Sequence, residues 1–311
     1  MGAPESRDST AFSVAAGRDA GLTDGRMRGR SFARPHHGVR VWVRGEGEAT
    51  GDGDVRERCD RLLPALPAGA IFSHATAARL WGMPLPLAVP DALHVMVPDA
   101  TPVRRPGVIG WTRAGELGGV QVRHGMPVPS AADTWVMLAA MNAGRGERLS
   151  RENLVAIGDF LVSGERRSFG RETPLATIES LHDAVSRHGS RRGAVALRWA
   201  LERVRMPVDS PQETLLRLAL VAARLPEPVV QPPVPTAAGV RHPDLGYLER
   251  RLLIEYLGDV HRTDRETWRR DLVRVQLFED AGYRVILAGA ADARPSGIRP
   301  FTDRVRRALS R

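Results

Sequence analysis

Apolar residues fall into short runs along the chain, separated by Gly, Pro and charged clusters. Ser13 to Ala20 is Ala-rich and helix-prone, Gly21-Leu22-Thr23 is a turn signal, and Thr23 is placed to cap a second helix over Asp24 to Arg30. Gly38 to Val43 alternates as a strand does. Helix, turn, helix, strand is the order of a winged helix-turn-helix, or of a small helical cap with a basic solvated face. Gly45 to Asp54 is rich in Gly and acidic residues and reads as a linker or exposed loop. Helices are predicted over Val55 to Leu66 and over His74 to Trp81, the latter capped by Ser73 and ended by Gly82. Short strands over Leu93 to Pro98 and Val108 to Arg113 precede helices over Ala131 to Met141 and Asn153 to Val162.

The last third is patterned differently. After helical pieces at Thr173 to Arg187 and Ser190 to Arg203, Asp209-Ser210-Pro211-Gln212-Glu213 opens a helix running to Arg224. Strands follow at Val229 to Val234, Val240 to Leu245 and Leu252 to Tyr256. A helix over Thr267 to Ala281, a strand at Tyr283 to Leu287 and a helix over Pro300 to Leu309 complete the chain. Helix, three strands, helix, strand, helix implies a sheet covered on both faces. Four segments are expected: a winged-helix-like region at 1–50, a mixed α+β region at 51–170, a helical connector at 171–209 and an α/β domain at 210–311.

Composition sharpens this picture. The 311 residues are 42% hydrophobic, enough for packed cores. No apolar run has the length of a membrane span and Met1 to Thr10 has no apolar middle, so the cytoplasm is the expected compartment and a membrane is not an expected partner. Cys59 is the only cysteine, which excludes an internal disulfide and a cysteine-based zinc site. The net charge is +9, carried entirely by arginine because the chain contains no lysine. That excess suits a polyanion, with DNA the expected partner, and Arg26, Arg28 and Arg30 on the second helix suit phosphate contact. There is no Walker loop, dinucleotide fingerprint or Gly-x-Ser-x-Gly elbow.

Three carboxylates of the last segment carry the candidate chemistry. Glu255 lies inside the apolar run Leu252-Leu253-Ile254-Glu255-Tyr256, where an acid is costly unless a cation meets it. The turn over Gly246 to Arg250 folds Asp244 back towards Glu255, and Glu213 stands in the first turn of the opening helix. Such carboxylates can hold Mg²⁺ against a phosphodiester. His261, just beyond the strand, could transfer a proton or hold a phosphate. Each has a plainer alternative. Glu213 completes a capping box with Ser210, Asp244 is a turn residue, Glu255 pairs with an arginine such as Arg274, and Asp271 and Arg274 pair along one helix face.

His242-Pro243-Asp244, then Leu253-Ile254-Glu255-Tyr256-Leu257-Gly258-Asp259-Val260-His261, then Trp268-Arg269-Arg270-Asp271-Leu272-Val273-Arg274, then Ala281-Gly282-Tyr283-Arg284-Val285 form a series. From Ser210 to Arg311 the chain resembles a bacterial family related to the very-short-patch-repair endonucleases, a branch of the PD-(D/E)xK nucleases. The resemblance implies a restriction-endonuclease-like α/β/α domain in which Glu213, Asp244, Glu255 and His261 line the site and Asp244 and Glu255 hold Mg²⁺ or Mn²⁺. Leu257 stands where the family carries a second acid, and the superfamily's catalytic lysine has no counterpart. Ser73 to Gly82 and the N-terminal region are similar to type IV abortive-infection antitoxin-like domains, which implies a toxin partner or a homodimer. The expected function is a DNA-binding, metal-dependent endonuclease, and the alternative is a non-catalytic DNA-binding regulator or antitoxin with a degenerate nuclease fold.

Overall fold

The computed structural model describes residues 11–42, 54–98, 101–113, 115–141, 149–167, 170–258 and 265–310. It is a mixed α/β structure with small sheets. The chain forms two compact units, Met1–Arg148 with Asp183–Ala194, and Leu149–His182 with Val195–Arg311. The expected linker over Gly45 to Asp54 lies outside the described residues except for Asp54.

In the first unit, Ser13 accepts a hydrogen bond from the Ala16 amide and starts the helix Val14–Asp19. Thr23 does the same for Asp24–Met27 through the Arg26 amide. The second helix is therefore a single turn, shorter than the one expected over Asp24 to Arg30. Its end coincides with the close approach of Met27 to Gly17, where an added Cβ would lie 2.6 Å from the Met27 sulfur. Ala11–Ser13 and Phe32–Ala33 flank Val39–Trp42 in an antiparallel three-stranded sheet. Arg26, Arg28 and Arg30 are all exposed. Further along, Leu93–Val97 is the buried centre of a second sheet, antiparallel to Ile71–Phe72 and parallel to Val108–Thr112. The helices His74–Leu80 and Ala131–Met141 pack together within this unit. Cys59 is fully buried on the helix Val55–Leu62, and burial pushes its thiol pKa up, which removes it as a nucleophile.

The second unit is built on a four-stranded sheet. Its order is Val229–Val230, Leu245–Tyr247, Leu252–Leu257, Arg284–Gly289, with the first two pairings antiparallel and the last parallel. Alternation along Leu252–Leu257 distributes its side chains. Leu252 and Ile254 pack with Leu216, Leu220, Phe301 and Val305 from the helices Pro211–Ala222 and Pro295–Leu309. Leu253 points the other way, towards Phe278 of the helix Arg265–Asp280. Gly282, at φ +83°, ends that helix in the left-handed region and turns the chain into the parallel strand.

The strand expected over Val229 to Val234 is divided between Val229–Val230 in the main sheet and Val234–Thr236 in a separate hairpin, and two further expected elements of this unit differ. The strand predicted over Val240 to Leu245 is split at His242-Pro243-Asp244, because Pro243 has no amide to donate to a ladder. Gly239–Arg241 instead pairs with Val234–Thr236 in a separate hairpin, and only Leu245–Tyr247 enters the main sheet. The last helix starts at Pro295 rather than Pro300, which lies inside it.

The helices Arg151–Ser163 and Pro211–Ala222 are joined by a buried polar network. Asp159 accepts from the Arg205 amide at 2.7 Å, from the Thr214 hydroxyl at 2.7 Å and from Arg217 Nη2 at 3.1 Å. Arg217 also reaches the Arg203 carbonyl and Glu227. Both partners are essentially inaccessible, and burial, outweighing the arginine, lifts the Asp159 pKa to about 6. Removing Arg217 leaves the buried Asp159 without its cation, and removing Asp159 leaves the buried Arg217 to Glu227 alone. Asp159→Ala or Arg217→Met is expected to lower unfolding free energy by about 3–5 kcal/mol in urea titrations. The double variant Asp159→Ala/Arg217→Met is expected to lose clearly less than the sum of the two single losses.

Candidate functional site

The site is set by strand register. Leu245 pairs with Ile254 in an antiparallel ladder, so one step further Asp244 stands opposite Glu255. Asp244 is held in place at both ends. Its carbonyl accepts from the Gln231 amide at 3.0 Å, and its Oδ2 accepts from the Tyr256 amide at 2.6 Å. Glu255 has the same facing as Leu253, under the helix Arg265–Asp280, and is 6% exposed. Arg274 on that helix donates from Nε to Glu255 Oε2 at 3.0 Å and from Nη2 to the His242 carbonyl. Glu255 Oε1 is buried and meets no hydrogen-bond partner among the described residues.

Glu213 reaches the same neighbourhood from the first turn of Pro211–Ala222. Its backbone amide donates to Ser210 Oγ at 3.3 Å, the Ser210 hydroxyl donates to its Oε1 at 2.8 Å, and the Asp209 amide donates to its Oε2 at 3.2 Å. The helix-capping role of Glu213 and its place among the acids therefore coexist.

The electrostatics tie the three together. Burial, and then the charge of Asp244, push the Glu213 pKa up to about 8. Burial, and then the charge of Glu255, raise that of Asp244 well above the carboxylate range. Burial raises Glu255 as well, against the opposing pull of Arg274, with Glu213 and Asp271 adding to the rise. Three acids thus share one poorly solvated space, in which Arg274 is the cation that meets Glu255. Glu213, Asp244 and Glu255 come together, while His261 lies outside the described residues. Arg274 pairs with Glu255 across the fold. No group of three His, Cys, Asp or Glu side chains among the described residues is close enough to hold a metal ion.

A feature the sequence reading missed lies beside the acids. Arg241, Arg269, Arg270 and Arg274 line a cleft of about 310 Å³ with Val273 and Leu277. The signal was available in Trp268-Arg269-Arg270-Asp271-Leu272-Val273-Arg274, where Arg270 and Arg274 are four apart and share a helix face. Arg241 joins them only through the hairpin.

Neither a scan against protein-family models nor a search of curated proteins matches this chain.

Carboxylates that hold protons in the folded state but release them on unfolding make stability fall as pH rises. For Glu213 the contribution is complete below about pH 4.5 and is lost as pH passes through about 8. Unfolding free energy is expected to decline over that window by up to roughly 1.4 kcal/mol per pH unit for each such group. Glu213→Gln is expected to flatten the decline, measured by urea unfolding at half-unit pH steps. An unchanged slope in Glu213→Gln would contradict the assignment.

Proposed function

We propose that this is a DNA-binding protein whose second unit carries a restriction-endonuclease-like α/β/α domain that hydrolyses phosphodiester bonds with Mg²⁺ or Mn²⁺. The observation that carries the reading is the Asp244–Glu255 pair, opposite each other at the end of a sheet, with Glu255 Oε1 buried and unpartnered. Carboxylate oxygens are the donors that hard divalent ions take. Asp244 and Glu255 would hold the ion, since each has one oxygen fixed by a protein donor and a second free to turn to a ligand. Bound there, a divalent ion supplies an activated water and neutralises charge on the scissile phosphate. Glu213, with its pKa near 8, can take a proton from water or return one to a leaving oxygen near neutral pH. Arg274 orients Glu255, and the Arg241, Arg269 and Arg270 side of the cleft suits the flanking phosphates. The main sheet, with three strands paired antiparallel before the helix Arg265–Asp280 and one parallel strand after it, supports this reading.

A second reading, a DNA-binding regulator or antitoxin with a degenerate nuclease fold, is favoured by one specific observation. Arg274 already neutralises Glu255, the role a metal ion would otherwise fill. Leu257 and the lack of lysine point the same way.

Supercoiled plasmid incubated with the protein and Mg²⁺ or Mn²⁺ separates the two. Nicking that falls at least about a hundredfold in both Asp244→Asn and Glu255→Gln is expected. DNA retarded in a gel but left intact with either metal would favour the regulator, and cleavage surviving both substitutions would overturn the site.

Arg26, Arg28 and Arg30 provide the sequence-independent part of binding under either reading. Replacing all three by Gln is expected to reduce the slope of log affinity against log salt by about 2 to 3. Fluorescence anisotropy on a labelled duplex between low and moderate salt measures it.

A further inference from the structure

The first unit contains a cavity of about 240 Å³ that the nuclease reading does not use. Met96, Val136 and Met137 form its apolar wall. The rings of His74 and Trp111 stack against one another there, 3.9 Å apart and 18° from parallel. His94 lies nearly parallel to Trp111, and the Trp111 indole donates to His94 Nδ1 at 3.0 Å. Burial, and then the neighbouring His94, hold the His74 imidazole neutral, well below its usual range. His74 is also a buried residue with φ at +46°, a left-handed conformation that a non-glycine residue adopts at a cost. Its Nδ1 lies 3.0 Å from the Ser73 hydroxyl, a hydrogen bond that fixes the plane of the ring.

The mouth of the cavity is basic. Arg113, Arg191 and Arg192 line it, and none of the three forms an ion pair with a carboxylate among the described residues. Arg191 is held by the Arg187 and His188 carbonyls at 2.7 and 3.0 Å, and its guanidinium packs against the backbone at Gly115. Asp133, the buried acid of the lining, is fully engaged. It accepts from the Gly118 amide at 2.9 Å, from the Ser130 hydroxyl at 2.7 Å and from Arg187 at 2.9 Å. Exposed Glu116 is the one other acid in the lining. The rim therefore keeps a net positive charge above an apolar slot floored by aromatic rings.

We infer that this cavity binds a small planar aromatic anion, a ring system seated against Trp111 and Met96 with its carboxylate or phosphate turned to Arg191 and Arg192. The volume suits one or two fused rings and is below the roughly 300–1,000 Å³ of sites for larger ligands. The methionines and the indole supply polarisable contacts to a ring face, and the arginines supply planar donors to a carboxylate or phosphate. The same chemistry is offered by a mononucleotide and by an aromatic carboxylic acid.

The full chain, labelled with ¹⁵N at the indoles and with the Trp111 signal assigned through Trp111→Phe, is titrated with adenosine monophosphate and with salicylate. Adenosine and salicylamide serve as uncharged counterparts. At least one anion is expected to shift the Trp111 indole signal with a dissociation constant below about 1 mM, at least about tenfold tighter than its uncharged counterpart. Whichever anion does so identifies the source. Arg191→Gln/Arg192→Gln is expected to erase the preference for the anion, and Met137→Trp, which fills the slot, to abolish the shift. If Met137→Trp does not fold, the arginine variant decides. No shift with either anion at about 10 mM, equal affinity for charged and uncharged compounds, or an unchanged preference in the arginine variant would overturn the site.

Discussion

The contact between Arg274 and Glu255 is the interaction around which the second unit is arranged. A carboxylate in the middle of an apolar strand, under a helix, cannot remain charged there unless something cationic reaches it. Arg274 reaches it from the helix Arg265–Asp280 and at the same time takes the His242 carbonyl, just before the point where the chain turns from the hairpin into the main sheet. One side chain thus fastens a helix, a strand and a turn. Arg274 pulls against the rise at Asp244 and Glu255, but burial first, and then the neighbouring acids, keep the pKa values of Glu213, Asp244 and Glu255 raised. A cluster left in that condition is suited to taking up a cation or to moving protons near neutral pH.

The rest of the unit holds the acids at that spacing. The antiparallel register sets Asp244 opposite Glu255. Glu213 is positioned by its helix, and that helix is pinned by the residue that follows it. Thr214 donates to the buried Asp159, which Arg217, one turn later, also contacts. The structural pair Asp159–Arg217 and the acidic cluster therefore lie on neighbouring faces of one helix end.

The elements that short-range chemistry controls were legible in the sequence. Thr23 and Ser210 cap their helices as expected, whereas Ser73 precedes the helix His74–Leu80 without a side-chain cap bond, its hydroxyl lying 3.0 Å from His74 Nδ1 instead. The Leu252–Leu257 strand alternates faces, and Glu255 is the residue whose burial its apolar neighbours foretold. What was not legible depended on partners distant in the chain. The sequence offered Arg274 both Asp271 along the helix and Glu255 across the fold, and only the structure shows that its Nε bonds to Glu255. The strand expected through Pro243 breaks because ladder geometry outweighs the local β-propensity of its flanks. The aromatic cavity of the first unit draws His74, His94 and Trp111 from three separate elements, and no spacing rule connects them.

The most direct test of this arrangement counts protons. Mn²⁺ is titrated into the full chain by isothermal calorimetry near pH 7, in two buffers of different ionisation enthalpy. Carboxyl groups that hold protons because they are buried together must release them to bind a metal ion. Release of about one proton or more per Mn²⁺, lost along with binding in Asp244→Asn/Glu255→Gln, is the expected result. Binding with no proton release, or binding unchanged in that double variant, would contradict it.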